Sequence, residues 1–313
     1  MNNRFEQTYR NESGMALITV LLVTALASIL AMSMSSGQQL DIRRTANMID
    51  GDQAWLLARS LEEWGRQVLI RDRQQSADDT LGEDWAFGLP PTTVNNGVVS
   101  GQIEDLQGRL NINTLVDIDP KTAELAAWRM SRLFSLCEIE DDLIPALIDW
   151  LDGDSDTRPG GAEDDAYQLR DPPSRAGNQK MFTPSELLQL DGIDPGQYAC
   201  LAPNLTALPE STKVNINTAP ALVIRALAED LSAEAAEEVI NDRAGSGYKN
   251  VAEFMAHPAL VDAKLDARDL DLSSNFFLIM GQADFGHGQV DLYSVIDRRS
   301  GDIKVISRSI GAY

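Results

Sequence analysis

Residues 13–40 carry no charge, and residues 15–34 within them form an unbroken apolar run, MALITVLLVTALASILAMSM. Twenty residues at about 1.5 Å each cover a hydrocarbon core of about 30 Å, so this run predicts a membrane-spanning helix. Past it, Leu40, Ile42, Met48, Ile49, Leu56, Leu57, Leu61 and Val68 recur at three- and four-residue spacing, which predicts that the same helix continues in amphipathic form. Gly37, Gly51 and Gly65 weaken that helix without stopping it. The polar segment at 71–84, RDRQQSADDTLGED, predicts its end. Residues 98–105 and 108–112 alternate like strands or a hairpin, with turn chemistry at Asn95-Asn96-Gly97. From Thr114 to about Leu272 the pattern is helical and loop-rich, with no strand predicted. The C-terminus then supplies three β-type runs, FFLIMGQADF, QVDLYSVIDR and DIKVISRSIG. Gly286-His287-Gly288 and Arg299-Ser300-Gly301-Asp302 separate them, which predicts an antiparallel meander with tight turns. Strands flanking a helical block of about 160 residues predict an α+β fold: a long N-terminal transmembrane and amphipathic helix packed on an antiparallel sheet, with a large all-α insertion between strands.

Inside the helical block the sequence echoes itself. Arg109-Leu110-Asn111-Ile112-Asn113-Thr114 returns as Lys213-Val214-Asn215-Ile216-Asn217-Thr218. Helix-start signals follow each copy, Asp119-Pro120 in one and Ala219-Pro220 in the other, with proline suited to the first helical position. The second copy resembles helix-hairpin-helix modules of DNA-binding proteins over about 45 residues. Those modules hold a phosphate with a glycine-rich hairpin. Here the hairpin is Ala228-Glu229-Asp230-Leu231-Ser232, acidic and without glycine, so it reads as a packing module.

Charge narrows the function classes. The 313 residues hold 26 Lys and Arg against 48 Asp and Glu, a formal charge of −22. Such a field repels polyanions and argues against nucleic acid as a partner. The excess is local: residues 138–165 contribute −10 of it, with Arg158 as their one base. Within that window Asp152, Asp154, Asp156 and Glu163 fall at positions one, three, five and twelve of an EF-hand-type calcium loop, where hard oxygens wrap a cation. Thr157 stands at the sixth position in place of glycine and Pro159 at the eighth, so the loop is not an EF-hand. Asp164 and Asp165 add carboxylates, enough for one or two Ca2+ ions, with Mg2+ the lesser candidate. The competing reading is a solvated acidic loop built from ordinary turn formers.

Other chemistry is sparse. His257 and His287 have no evident nucleophile, and no G-x-S-x-G, Walker, G-x-G-x-x-G or H-E-x-x-H pattern occurs. The chain is therefore expected not to be an enzyme. A metal-dependent hydrolase using the acidic cluster is the remote alternative. Cys137 and Cys200 are either two buried free thiols or, outside the cytoplasm, one bridge.

The N-terminus admits three readings: a secretory signal cut after Ala25-Leu26-Ala27, an uncleaved anchor, or a leader cut before the apolar run at Gly14/Met15. GMALITVLLV behind a short polar leader resembles the signal of pilins and pseudopilins, whose apolar segment is retained after cutting. Those proteins usually carry Glu at the fifth residue after the cut. Here that residue is Thr19. With the two N-I-N-T segments, the DxDxD…GAEDD loop, TPSELLQLDGI and LAPNLTALP, the chain resembles the type II secretion system protein K family along nearly its whole length. The resemblance implies a pilin-like domain interrupted by a helical insertion. It also implies calcium at the loop holding Asp152–Asp165, prepilin peptidase processing and methylation, and inner-membrane anchoring with a periplasmic C-terminal domain. The implied role is that of a minor pseudopilin capping the pseudopilus with the I, J and H minor pseudopilins. The implied division is leader 1–14, membrane segment 15–37, pilin-like parts 38–113 and 273–313, and insertion 114–272. The runner-up is an anchored periplasmic calcium-binding module that recognises secreted substrates.

Overall fold

The computed structural model describes residues 8–94, 96–139, 143–299 and 303–312, with side chains from residue 14 onward. The first half of the leader, Asn95 of the predicted turn, acidic residues 140–142 and turn residues 300–302 lie outside the described residues.

One helix, α1 (Thr8–Gln75), carries both the apolar run and the amphipathic stretch. It ends within the polar segment that predicted its end. Ala54, Ala58, Leu61 and Leu69 recur on one face and are buried. Gly65 lies on that face, where a Cβ would come within 2.7 Å of Ile279. The glycine that the sequence marks as a weakness is thus a point of close approach between helix and sheet.

The strands, in chain order, are β1 (Leu89–Val94), β2 (Gly97–Asp105), the two-residue β3 (Leu110–Asn111), β4 (Leu205–Thr206), β5 (Val214–Asn215) and β6 (Leu270–Asp271), then β7 (Phe276–Phe285), β8 (Gly288–Asp297) and β9 (Lys304–Ile310). Five of them form an antiparallel sheet in the order β1-β2-β7-β8-β9. The hairpin differs from its expected position. It joins β1 to β2, whereas of residues 108–112 only Leu110–Asn111 form a strand, parallel to β4. β1 escapes sequence reading because Pro90 and Pro91 mark it as non-strand. It is an edge strand, where a missing N–H costs no ladder bond. The short strands β4, β5 and β6 also lie where none is expected.

The α1 face of the sheet carries Val99, Ile103, Ile279, Ala283, Leu292 and Ile296. Glu62 is buried on the same side. It accepts hydrogen bonds from Arg308 at 2.6 and 3.0 Å and from Ser294 at 2.7 Å, tying α1 to β9 and β8. Burial opposes its ionisation, but these bonds outweigh burial and hold its carboxyl below the usual range.

The insertion leaves after β2 and returns at β7, whose residues Asp105 and Phe277 are paired. Its helices are α2 (Pro120–Leu136), α3 (Leu143–Leu151), α4 (Asp164–Tyr167), α5 (Pro195–Leu201), α6 (Ala221–Ala226), α7 (Ala233–Asp242) and α8 (Val251–Met255). Leu133, Leu147, Leu187, Ile216, Val223 and Val239 share one continuous core. Leu208 joins Leu106, Phe276, Leu278 and Val295 on the other face of the sheet, seating the insertion there. Asp119 caps α2 with Pro120 at its first position, as expected. In the second copy Pro220 is itself the extended cap residue, so the helix starts one residue later. Cys137, at the end of α2, and Cys200, in α5, form a disulfide, which removes the free-thiol alternative.

Candidate metal centre

The acidic loop begins where α3 ends. Asp149, in the last turn of α3, is fully buried. Its Oδ2 accepts the Arg158 backbone N–H at 3.1 Å and its Oδ1 accepts Arg158 Nη1 at 2.7 Å. The same Nη1 also contacts Asp152 Oδ2. A turn closed by Gly161 N–H to the Arg158 carbonyl, 2.8 Å, folds the loop back over Asp149. A Cβ on Gly161 would sit 1.9 Å from Asp149 Oδ2, so only glycine fits there.

That fold-back delivers Glu163 to the cluster. Asp152, Asp154 and Glu163 each offer an oxygen within 4.8 Å of the other two. Glu163 is 4% exposed, and neither of its carboxylate oxygens has a hydrogen-bond donor. Asp152 Oδ1 and Asn178 Oδ1 are likewise buried without a donor. Orphaned buried acceptors are rare because desolvation costs about 1–3 kcal/mol or more for each unpaired group. Burial pushes the Glu163 pKa up, and the neighbouring charges of Asp149, Asp152, Asp154 and Asp164 push the same way. An all-oxygen donor set of this charge fits a hard divalent cation.

The other candidate ligands lie outside this converging trio. Asp156 is exposed, and its N–H bonds Asp154 Oδ1 at 2.9 Å. Asp164 Oδ1 accepts the Ala176 N–H at 2.9 Å, pinning the return of the loop. Asp165 is exposed on the first turn of α4. Sequence spacing offers no route to Asn178, whose Nδ2 donates to the Asp154 carbonyl at 3.2 Å. Asp149 could have been found, since it lies one helical turn before Asp152.

A second acidic group, Asp72, Asp79 and Glu83, lies near the end of α1. Arg298 already pairs with two of its members, Asp72 at 2.8 Å and Asp79. His257 is buried: its Nε2 lies 2.9 Å from Asp242 Oδ2, and its Nδ1 accepts the Ala259 N–H at 3.2 Å. His287 sits at the β7–β8 turn, where its N–H bonds Asp50 at 3.0 Å.

At the other end of the chain, Gly14 and Met15 lie exposed in α1. The helix from Gly14 onward is long and apolar enough to cross a membrane, and its apolar window is entirely unburied. Thr19 directs its hydroxyl back to the Met15 and Ala16 carbonyls, at 3.2 and 2.9 Å.

Residues 108–210 match a family model described as "Type II secretion system (T2SS), protein K", and residues 214–273 match a second model of the same description. Each match begins close to one copy of the N-I-N-T echo. Type II secretion system protein K of Pseudomonas aeruginosa is 32% identical, with 96% of this chain and 94% of that protein covered. The Aeromonas hydrophila protein of the same name is also 32% identical, over 96% of this chain and 97% of its own length. A chain from the crystal structure of the GspK-GspI-GspJ complex of enterotoxigenic Escherichia coli superposes with a TM-score of 0.77. That likeness, at 24% identity over 86% of this chain and 100% of the other, is one of fold. With its relatives aligned across nearly their whole length, the chain belongs to the type II secretion system protein K family.

Proposed function

We propose that this chain is a minor pseudopilin, anchored in the inner membrane by α1, with its sheet and insertion in the periplasm. In this reading it caps the pseudopilus together with the I and J minor pseudopilins, with H below them, and supports export of folded proteins. The observation that carries the reading is the continuity of α1: one helix supplies an unburied apolar anchor and, further along, the spine of the sheet. The I and J partners are those of the similar chain in the GspK-GspI-GspJ complex. Bulk supports the tip position: a second core-forming domain of this size on the sheet would crowd a subunit stacked above it. Thr19 suits that position, since its hydroxyl is satisfied within its own helix and offers no carboxylate to a neighbouring subunit. The role is structural rather than catalytic. Co-expression with the I and J pseudopilins should give a detergent-stable ternary complex. Recovery of the chain without either partner would overturn the assignment. Mass spectrometry of the mature chain should find a methylated N-terminus at Met15, left by prepilin peptidase.

The acidic loop, in the same reading, binds Ca2+ through Asp152, Asp154 and Glu163, with backbone or water oxygens completing six to eight ligands. The donor-free carboxylate of buried Glu163 is the support. Melting in millimolar Ca2+ should occur several degrees above melting in EDTA, and equal midpoints would remove the site.

A further inference from the structure

The cluster divides its negative charge between two directions. Arg158 takes Asp149 and one oxygen of Asp152, while the other Asp152 oxygen and both Glu163 oxygens face no donor. A single nitrogen, Nη1, makes both contacts, and the Arg158 side chain keeps 40% of its surface exposed while Asp149 keeps none. The buried half of the pairing is therefore all carboxylate. We propose that Arg158 is a resident counter-cation of the acidic loop: it neutralises Asp149 and Asp152 so that the loop stays folded when its divalent ion leaves, and it weakens the hold on that ion. The inference rests on the cation reading above.

Electrostatics fixes the sign of the coupling. Asp149, Asp152, Asp154 and Glu163 gather four carboxyl groups around one guanidinium. With Arg158 removed, the loop must hold all four close together whenever the ion is absent, and Asp149 loses the partner that makes its burial tolerable. An arriving Ca2+ then meets one more unit of negative charge, so it binds more tightly. Arg158 and the ion are in this sense alternative neutralisers, linked through Asp152, whose Oδ2 contacts Arg158 while its Oδ1 has no donor. A ligating carboxylate held from behind by a donor is also held in orientation, which keeps the remaining ligands in place between binding events.

The experiment compares wild type, Arg158→Gln and Arg158→Lys as full chains in detergent, by calorimetric Ca2+ titration and by melting in EDTA and in saturating Ca2+. Arg158→Gln is expected to melt about 5 °C lower in EDTA. It should lose much less in Ca2+, and its Kd for Ca2+ should tighten on the order of tenfold. Arg158→Lys is expected to return both readings towards wild type, because one ammonium nitrogen can bridge the same two carboxylates. Equal loss of melting temperature in both buffers, or weaker Ca2+ binding by Arg158→Gln, overturns the inference while leaving the cation site standing. Absence of Ca2+ uptake by the wild-type chain overturns the cation reading, and this inference with it.

Discussion

Asn217 clasps Tyr248 by both of its backbone groups: Asn217 Oδ1 accepts the Tyr248 N–H at 2.7 Å and Nδ2 donates to the Tyr248 carbonyl at 3.1 Å. Asn113 makes the same pair of bonds to Met181, both at 2.9 Å. The likeness continues beyond the clasp. Glu253 accepts the Lys249 N–H just as Glu186 accepts the Phe182 N–H, and each acid sits at the start of the short helix that follows. The N-I-N-T echo is therefore the visible end of a structural duplication. Replacing either Asn113 or Asn217 with Ala strands a buried N–H and carbonyl, and should cost about 2–4 kcal/mol in denaturant unfolding. Asp in place of Asn keeps the acceptor but loses the donor, so it should also destabilise. A loss under about 0.5 kcal/mol would show that water satisfies the clasp instead.

The disulfide between Cys137 and Cys200 closes a loop with a sequence separation of 63 that contains the whole acidic segment. Restricting a loop of that length in the unfolded chain is worth about 4 kcal/mol on chain-entropy arguments. The Cys137→Ala/Cys200→Ala double variant should melt on the order of 10 °C lower than the oxidised wild type. Reductant should bring the wild type down to meet it. A reductant-insensitive wild type would mean that the pair does not cross-link in solution.

Much of this architecture is legible in local pattern, because local pattern is what sets it. The length of the apolar run gives α1, period-two alternation gives β2, and β-type runs bounded by turn residues give β7, β8 and β9. β1 carries no strand signal, because Pro90 and Pro91 oppose one and only its edge position makes them acceptable. The duplication is half hidden for a different reason. The second clasp spans 31 residues and the first spans 68, since the acidic loop lies inside the first copy alone. Ligand spacing brings Asp152, Asp154 and Glu163 to notice, but the turn at Gly161 decides which carboxylates meet. That turn also buries Asp149 under Arg158, a contact that no periodicity encodes. Cys137 and Cys200 show the same limit, since their pairing depends on how α2 and α5 come together.

The geometry separates the loop carboxylates into a converging trio and its exposed neighbours. Glu163→Gln and Asp154→Asn remove oxygens of the cluster and should abolish the rise in melting temperature on adding Ca2+. Asp156→Asn and Asp165→Asn alter exposed side chains outside it and should leave that rise within about a degree of wild type. Differential scanning fluorimetry with a Ca2+/EDTA pair for each variant provides the measurement. An Asp165→Asn variant blind to Ca2+ would move the site towards α4.

Arg298 joins the end of α1 to the sheet through buried charge. It is 2% exposed and pairs with Asp72 at 2.8 Å and with Asp79, while its Nε donates to the Ser274 carbonyl at 2.9 Å. Asp105 lies in the same interior and accepts bonds from Asn215, Thr218 and Ser274. Two of these buried carboxylates, Asp72 and Asp79, share the one guanidinium, while Asp105 is held by neutral donors. Burial dominates at Asp79 and, despite Arg298, pushes its pKa up from 3.8 to about 7, with Asp105 adding to the rise. A carboxyl with a higher pKa folded than unfolded keeps its proton in the native state after the unfolded chain has lost it. Its contribution is therefore complete below about pH 4, declines as pH rises towards about 7, and is absent above that. The stability of wild type relative to Asp79→Asn should accordingly fall between about pH 4 and pH 7 and level off beyond it. Arg298→Ala should cost about 3–5 kcal/mol at neutral pH, where it leaves buried carboxylates without their counter-charge, and less near pH 5, where Asp79 is protonated. Urea unfolding at half-unit pH steps tests both variants. A wild-type advantage over Asp79→Asn that grows with pH across that window would show that the Arg298 pairing, rather than burial, governs Asp79.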